Sequence, residues 1–466
     1  MNKLQRIKDF FGKIEIGIAI VLFFTMLYSC GKYIDIKING QNSSLPSLPQ
    51  YEKQQLLKTG AAENKVYTDD LTEPVFIGLR DEKTGICAAF DSEARASFEN
   101  LSNPLLYALF SGTSEKMSFD NEYQRKKYIE QLCNSEKYIY LSYFDDVHAS
   151  LFLPCLSSDY EIDVKPMYFY VKHIFILGDE NEYLYAVTVA EDGSMYKLFP
   201  EKKIVFDNFS TEEYDVSDGY SYFEFADREG VHPEFTSSFV TNKYELVTMS
   251  EKFGKNKDSF WVEKIFDLFA VNNNFVKSYS SKNDTEMIYV DDGAQVLVSD
   301  SGLVEYNAEG LGVNLEEYLE YSVDASGKYS FTDKVFAIKN LVNSLNFDNS
   351  SHRYTVSGID YEQNGDKLSF YLKCFVNGVA VSERKYDAVF VIKSNYLVSA
   401  SFPAFNCKEV DGYSVCMNQN YINTLFEESE TDDLNNAVYC PVLEKDKDGK
   451  EYKVSWARIS YGEGEE

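Results

Sequence analysis

The sequence predicts an α+β fold in which antiparallel β meanders are each packed by a helix. Aromatic residues make up 15% of the chain, with 36 Tyr and 34 Phe, and aromatic side chains favour strands. Asn364-Gly365 and Asn377-Gly378 stand between alternating apolar runs, which is a strong short-range signal for a hairpin. Two helical patterns each precede such a meander. The C-terminal half is therefore predicted to contain repeated helix-plus-hairpin units.

The first 30 residues predict a membrane address. Basic residues precede an apolar run at 16–27, and Leu27-Tyr28-Ser29-Cys30 resembles a bacterial lipobox, whose cysteine is diacylated after cleavage. A spanning helix needs roughly 20 apolar residues, so the short run suits the core of a signal peptide, and Cys30 would then be the site of lipid attachment. An uncleaved, tilted anchor helix that continues to Ile34 stays open as the alternative. Residues 31–70 include a Ser/Pro/Asn-rich stretch and are predicted to be a tether.

An N-terminal α+β domain is predicted over residues 71–250. A short strand at 74–79 precedes a helix from Pro104 to Phe110, with Asn103 as its cap, and a helix from about Glu122 to Cys133. Aromatic and β-branched runs then predict antiparallel strands. These strands lie at 138–144, 167–171, 173–177, 183–190 and 194–199, and the last two are joined by a turn at Asp192-Gly193.

A middle helix-plus-meander domain is predicted over residues 251–325. Asp258 is expected to cap its helix, which carries Trp261, Ile265, Leu268 and Phe269 on one stripe. Strands follow at 287–290, 295–299 and 303–306, with turns at Asp291-Asp292-Gly293 and Asp300-Ser301-Gly302.

A C-terminal domain of the same type is predicted over residues 326–466. Ser330 and Asp333 form a capping-box pattern at the start of its helix. Five apolar residues of that helix fall on one face: Val335, Ile338, Leu341, Val342 and Leu345. Its strands are predicted at 354–361, 367–375, 379–382 and 388–392, and a further hairpin joins 437–443 to 451–461.

The charge of the chain argues against a nucleic-acid partner. The formal net charge is −30 at pH 7, and such a surface repels phosphate backbones. A hydrophobic content of 44% supplies enough apolar side chains for packed cores, so the exported body is predicted to be globular.

The eight cysteines show no CxxC spacing, which argues against a structural zinc site or a thioredoxin-type site. A two-residue turn at Asp411-Gly412 would place Cys407 opposite Cys416 at a non-hydrogen-bonded position. Cα atoms there are about 4.5 Å apart, within the range of a disulfide. We therefore consider a cross-strand disulfide between Cys407 and Cys416, and two buried thiols remain the alternative.

No catalytic, cofactor-binding or metal-binding residue is predicted. The four histidines are dispersed, and the chain contains no GxSxG elbow, phosphate loop or complete GxGxxG. Asp446 and Asp448-Gly449 resemble the start of a calcium loop, but Ser455 replaces the expected glutamate, so a hairpin turn is favoured. His173 lies in an alternating strand and is expected to be partly buried or hydrogen-bonded across strands. Asp145 and Asp146 are neighbours on a strand and should point to opposite faces.

Two segments resemble the YycH family of extracytoplasmic proteins. Residues 266–279, which read Phe-Asp-Leu-Phe-Ala-Val-Asn-Asn-Asn-Phe-Val-Lys-Ser-Tyr, resemble the middle of that family together with 287–306. Residues 357–381 resemble its C-terminal repeat. The likeness extends more weakly through 74–80 and 173–198, so it covers most of the exported body.

The resemblance implies an accessory protein that, with its YycI paralogue, restrains the cell-wall-sensing histidine kinase of a two-component system. It implies no catalytic residues. Members of the family usually keep an uncleaved N-terminal helix that contacts the kinase. Lipidation of Cys30 would be a departure from that pattern.

Sequence and resemblance together favour a non-enzymatic regulator on the extracytoplasmic face of the bacterial cell membrane, tethered through its N-terminus. Its expected partner is a sensor histidine kinase, with a paralogous regulator as a further candidate. The alternative is a surface lipoprotein that binds a solute, glycan or host ligand through an aromatic groove. A hydrolase that uses paired acids is a more distant alternative.

Overall fold

The computed structural model describes the greater part of the predicted exported body. The described residues are 71–81, 84–88, 93–157, 167–206, 211, 220–225, 235–237, 240–248, 260–281, 285–291, 293–299, 302–319, 329–345, 352–361, 367–376, 379–382, 384–415, 437–445 and 452–460. The predicted anchor or signal at 1–30, including Cys30, and the tether at 31–70 lie outside them. Of the helices that are described, none has both the length and the apolar character needed to cross a bilayer.

The described chain is mainly antiparallel sheet with a few helices, which confirms the predicted α+β class. The first part contains β1 Phe76–Asp81, β2 Thr84–Ala88, α1 Glu93–Phe110, β3 Thr113–Lys116, α2 Glu122–Cys133, β4 Lys137–His148, α3 Phe152–Leu156, β5 Tyr170–Gly178, β6 Leu184–Val189, β7 Met195–Phe199, β8 Tyr220–Phe225, β9 Phe235–Ser237 and β10 Val240–Thr248.

The second part follows the predicted order of helix, meander, helix, meander. It contains α4 Phe260–Leu268, β11 Lys277–Ser280, β12 Glu286–Val290, β13 Ala294–Ser299, β14 Leu303–Ala308, β15 Val313–Asn314, α5 Phe331–Ser344, β16 His352–Tyr361, β17 Lys367–Val376, β18 Val379–Ala380, β19 Ala388–Lys393, β20 Tyr396–Pro403, β21 Phe405–Val415, β22 Ala437–Lys445 and β23 Tyr452–Ser460. Short 3-10 helices lie at Ala149–Leu151 and Leu315–Tyr318.

The first sheet has nine strands in the order β3-β7-β6-β5-β4-β1-β2-β8-β9. Helices cover both of its faces. Alternation along β4 sends Ile139 and Leu141 into the core shared with α1, whereas Tyr138 and Tyr140 pack with apolar residues of α2 on the other face. The predicted hairpin around Gly193 is confirmed, since Met195 pairs with Val189 and Gly193 has a φ of 74°.

Helix α1 is longer than predicted. The expectation was a start at Pro104, but the helix begins at Glu93 and Pro104 lies inside it. A proline inside a helix costs about 3 kcal/mol because it removes a backbone hydrogen bond. That cost is offset by a stripe of four buried side chains that continues through the proline. The stripe consists of Phe98, Leu101, Leu105 and Leu109.

Strand β5 replaces two predicted strands. Residues 167–171 and 173–177 were predicted to be separate strands, but Tyr170–Gly178 is one strand. Lys172 is buried in it, and its Nζ atom contacts the Glu191 carboxylate. A charged residue can therefore continue a buried strand when its cation is paired.

The second sheet has fourteen strands and unites the two predicted helix-plus-meander units. Its path is β11-β12-β13-β14-β20-β19-β17-β18-β22-β23-β10-β21, with β15 and β16 attached to β20 and β17. The units join where β14 pairs with β20. Strand β10 belongs to this sheet although it precedes residue 250. The predicted domain boundaries at 250 and 325 thus do not coincide with a change of sheet, and the domain limits themselves stay a prediction.

Helices α4 and α5 cover one face of the large sheet. The ring of Phe266 lies 5.2 Å from that of Tyr289, and Phe269 stacks on Tyr306 at 4.5 Å. The predicted capping box is present in α5, where Ser330 Oγ accepts the Asp333 amide N–H at 3.1 Å. All five apolar residues predicted to share a face of α5 are buried. The directly paired residues beneath the helices are buried as well: Tyr289, Val296, Tyr306, Ala400, Phe390 and Phe370.

The predicted hairpin at Asp411-Gly412 is wrong. Residues 405–415 form the single strand β21, which pairs along its whole length with β10. The register shifts opposite Asn242 and Lys243, whose partners are Tyr413 and Val410, so residues 411 and 412 form a bulge instead of a turn. A long partner strand from a distant part of the chain replaces the local pairing.

Gly312→Ala should reduce the free energy of unfolding by about 1–3 kcal/mol. Gly312 has a φ of 90°, and a Cβ atom there would lie 2.2 Å from the carbonyl oxygen of Leu397. Gly310→Ala is the matched control, because no atom lies within 4 Å of its Cβ position. Urea denaturation of the two variants and the parent measures the difference, and equal stability of both variants would contradict the prediction.

Candidate interaction surface

One face of the large sheet carries none of the described helices. Directly paired residues on seven neighbouring strands form a row of half-buried or exposed side chains on this face. In sheet order these strands are β11, β12, β13, β14, β20, β19 and β17. At about 4.8 Å per strand the row is about 30 Å long. We call this surface the open face, and its central row is Tyr279, Ile288, Leu297, Glu305, Ser401, Val389 and Tyr371.

A second row on the open face mixes polar and apolar side chains. Ser399 Oγ donates to Asn307 Oδ1 at 3.1 Å, which confirms that residues of neighbouring strands meet on this face. Its members are Lys277, Val290, Gln295, Asn307, Ser399 and Val391. Apolar side chains beside polar ones are typical of a protein-binding surface.

The first part of the chain covers the end of the open face, where β4 lies against β16 and β17. We call this contact the seam. The Phe144 ring lies 5.5 Å from that of Phe375, and Lys373 Nζ lies 5.6 Å from the centre of the Phe144 ring. The amide of Val356 donates to the Leu71 carbonyl at 2.8 Å. The open face is thus already used for packing at one end.

A buried charge network holds the seam on one side. Glu73 Oε1 is 3.2 Å from Arg95 Nη2 and also pairs with Arg353 Nη1 on β16. Arg95 Nε donates to Glu99 Oε1 at 2.6 Å. The side chains of Glu73 and Arg95 are only 4% and 2% exposed. Burial raises the pKa of Glu73, and the two guanidinium groups oppose that rise.

A second buried ion pair lies on the β17 side of the seam. The Nζ atom of Lys373 is 3.1 Å from Asp387 Oδ2 and donates to the carbonyl oxygens of Ser382 and Arg384 at 2.8 and 2.6 Å. Asp387 Oδ2 also accepts the Cys374 amide at 2.8 Å. Lys373 has no exposed surface, so this ammonium depends on the loop at 382–387 for all its described acceptors.

Asp145 and Asp146 contact different neighbours, as their adjacent positions on a strand predict. Asp145 Oδ2 is 3.4 Å from Lys385 Nζ across the seam. Asp146 Oδ1 instead accepts the amide of Glu191 at 2.9 Å, at the β6–β7 turn. Burial raises the pKa of Asp146 to about 6, and the charge of Asp145 adds to the rise. The two carboxylates do not face a shared substrate position.

Asp146→Asn should raise the free energy of unfolding by about 1–2 kcal/mol at pH 8 and should have little effect near pH 4. Solvent screening keeps this gain below the full free energy of the pKa shift. Because the folded-state pKa lies above the ordinary value of 3.8, the folded carboxyl keeps a proton that the unfolded one has lost between about pH 4 and 6. The carboxylate therefore costs stability as pH rises through that window. Asparagine still accepts the Glu191 amide. Urea denaturation at both pH values tests this, and a pH-independent difference would contradict it.

Three tyrosines lie near the seam, and we call them the tyrosine patch: Tyr170, Tyr371 and Tyr386. Tyr170 is 44% exposed, and it pairs with His148 at the end of β4. The rings of Tyr371 and Tyr386 lie 4.8 Å apart. Tyr371 Oη donates to Asp360 Oδ2 at 2.9 Å. Sequence reasoning did not single out this patch, because Tyr170 is far along the chain from Tyr371 and Tyr386.

The described structure does not test the residues predicted for lipidation and disulfide formation. Cys30 and Cys416 lie outside the described residues. Cys407 lies on β21, which lacks the hairpin on which the Cys407–Cys416 disulfide was argued, so both assignments stay predictions. Four cysteines with described side chains are not in disulfide bonds: Cys87, Cys133, Cys155 and Cys374.

His173 has the structural role that the sequence predicts. It is buried on β5, and its Nδ1 atom lies 2.8 Å from Tyr140 Oη and 3.2 Å from Ser142 Oγ on the paired strand β4. Within the described ranges, no three His, Cys, Asp or Glu side chains are grouped so that they could hold a metal ion.

Comparison with known proteins gives one similar solved structure. No family model matches the sequence, and no curated protein matches it. The crystal structure of YycH from Bacillus subtilis is similar to this chain, with a TM-score of 0.49 and 11% sequence identity. The similarity covers 86% of this chain and 96% of that chain.

Proposed function

We propose that this chain is a non-enzymatic regulator tethered to the extracytoplasmic face of the bacterial cell membrane, where it modulates a sensor histidine kinase. The observation that carries the proposal is the open face. Its residues are half-exposed over about 30 Å, whereas the residues on the opposite face of the same strands are buried beneath α4 and α5. Large uncovered surfaces with apolar members mark interaction sites.

The energy required for such regulation is small. A ligand changes the balance of two kinase states only through its different affinity for them. A tenfold change requires about 1.4 kcal/mol, which a few side chains of the open face can supply. The resemblance of residues 266–306 and 357–381 to the YycH family supports a sensor kinase as the class of partner. These two segments contribute β11–β14 and β16–β18 to the sheet that carries the open face.

Capture of the full chain from detergent-solubilised membranes of the producing cells tests this function. We expect a histidine kinase, identified by mass spectrometry, to be recovered with the parent protein. Leu297→Glu should reduce that recovery at least tenfold, because it would bury a carboxylate in the centre of the interface. Leu311→Glu is the matched control, since Leu311 is 72% exposed and lies in the turn after β14, outside the open face.

Two results would count against the proposal. One is failure to recover a histidine kinase together with saturable binding of a glycan or peptide, which would favour the ligand-binding lipoprotein. The other is equal recovery with Leu297→Glu and Leu311→Glu, which would remove the open face from the interaction. Thermal unfolding of both variants shows whether they are folded.

A further inference from the structure

The tyrosine patch combines exposed aromatic rings with a carboxylate that is not paired with any cation of the described residues. Asp360 is exposed, and its described contact is the hydrogen bond from Tyr371 Oη. The neighbouring lysines have carboxylate partners, since Lys385 pairs with Asp145 and Lys373 with Asp387. Lys385 and Lys373 are thus engaged within the chain, while Asp360 makes no ion pair with any described residue.

We propose that the tyrosine patch receives an arginine or lysine side chain of a partner protein, held against the rings of Tyr371 and Tyr386 with its charge facing Asp360. This inference rests on the proposed function only in taking the partner to be a protein, and it adds the chemistry of the contacting side chain. The partner contributes a basic segment to the patch, because the chain carries a formal net charge of −30 and attracts cationic groups.

The geometry of the two rings suits a cation. Tyr371 and Tyr386 are tilted by 52° with centroids 4.8 Å apart, so they form an angled pair and not a closed stack. The Tyr386 side chain is 41% exposed, which leaves ring surface open to a partner. A cation placed over tyrosine rings is attracted by their quadrupole, and arginine also stacks on aromatic faces.

The electrostatics of the patch favour the same ligand. Burial raises the pKa of Tyr371 to about 12, and the charge of Asp360 adds to the rise. Asp360 and Asp146 also raise the pKa of Tyr170, after burial as the first cause, so Tyr170 lies within reach of both carboxylates. A negative site lined by aromatic rings binds a guanidinium or ammonium group and repels an anion. Tyr and Arg are also among the residues that dominate binding energy at protein interfaces.

Fluorescence anisotropy with the full chain in detergent tests the inference. The probe is a fluorescein-labelled nonapeptide of alternating glycine and arginine, measured at 150 mM salt, where long-range attraction is screened over about 8 Å. Tyr386→Ala should weaken binding at least fivefold without any change in net charge. The matched control is Tyr123→Ala, because Tyr123 is a 69% exposed tyrosine on α2, and this variant should bind like the parent.

The role of charge is measured separately. Asp360→Asn should weaken binding of the arginine peptide at least fivefold. The matched control is Asp120→Asn, because Asp120 is also an exposed carboxylate, and this variant should bind like the parent. A peptide in which citrulline replaces arginine keeps the shape and loses the charge, so it should bind at least tenfold more weakly.

Several outcomes would overturn the inference. Equal loss in Tyr386→Ala and Tyr123→Ala would show unspecific attraction to an acidic protein. Equal binding of the citrulline peptide would show a neutral stacking platform, as expected for a glycan. Because the peptide measurement contains no kinase, its failure is distinguishable from failure of the membrane capture. Thermal unfolding of each variant excludes loss of fold as the cause.

Discussion

Glu73→Ala is expected to lower the free energy of unfolding by about 3–5 kcal/mol, which is the usual cost of removing one partner from a buried ion pair. Glu73 is the shared acceptor of Arg95 and Arg353, and its side chain is 4% exposed. Without it, two guanidinium groups lose a carboxylate inside the seam, and Glu99 remains as an acceptor for Arg95 alone. Urea denaturation at pH 9, above the pKa of about 8 to which burial raises Glu73, measures the loss with the carboxylate ionised.

The matched control for this prediction is Glu122→Ala. Glu122 pairs with Lys126 at 3.4 Å on the surface of α2, and its side chain is 60% exposed. Exposed pairs of this kind contribute at most about 1 kcal/mol, so the control should remain close to the parent in stability. Similar losses in the two variants would show that the Glu73 network does not hold the seam.

Lys373→Met is expected to cost about 3–5 kcal/mol for the same physical reason. Methionine fills much of the volume of the lysine stem, so the loss comes mainly from the charge. The Asp387 carboxylate would remain buried without its ammonium partner, and the carbonyl oxygens of Ser382 and Arg384 would lose their donor.

A double-mutant cycle separates the pair from the rest of the site. Asp387→Asn keeps acceptors and donors for the surrounding groups but removes the charge. The Lys373→Met/Asp387→Asn double variant should therefore be more stable than the sum of the two single losses implies, by at least about 1 kcal/mol. Strict additivity would mean that the charges do not interact. Lys126→Met on the surface of α2 is the control, and we expect it to be nearly neutral.

Local patterns predicted those elements whose signals are contained in a few consecutive residues. The capping box of Ser330 and Asp333, the turn at Gly193 and the stripe of α5 are all confirmed. Strand β20 was missed because its turn, Ser394-Asn395, contains no glycine, although Ser394 has a φ of 53°. The helix start at Glu93 was missed because a proline is typical of the first turn of a helix, whereas Pro104 lies inside α1.

The candidate surface could not be predicted from the sequence because it depends on pairing between distant strands. Alternation shows that Leu297 and Val389 each lie on the less buried side of a strand, but only the pairing of β14 with β20 places them on one continuous surface. The seam has the same origin. Nothing near Glu73 in the sequence identifies Arg353 as its partner, and the two meet because β16 lies against the first part of the chain.

The position of β10 links the order of synthesis to the completion of the fold. Val240 on this strand pairs with Val415, and Tyr244 pairs with Tyr452 near the end of the chain. A nascent polypeptide that ends at α5 contains neither β21 nor β23, the two strands that pair with β10. Contacts of such high sequence separation slow folding, so the last strands to be synthesised close the sheet, and a C-terminal truncation should leave a proteolytically sensitive edge far upstream.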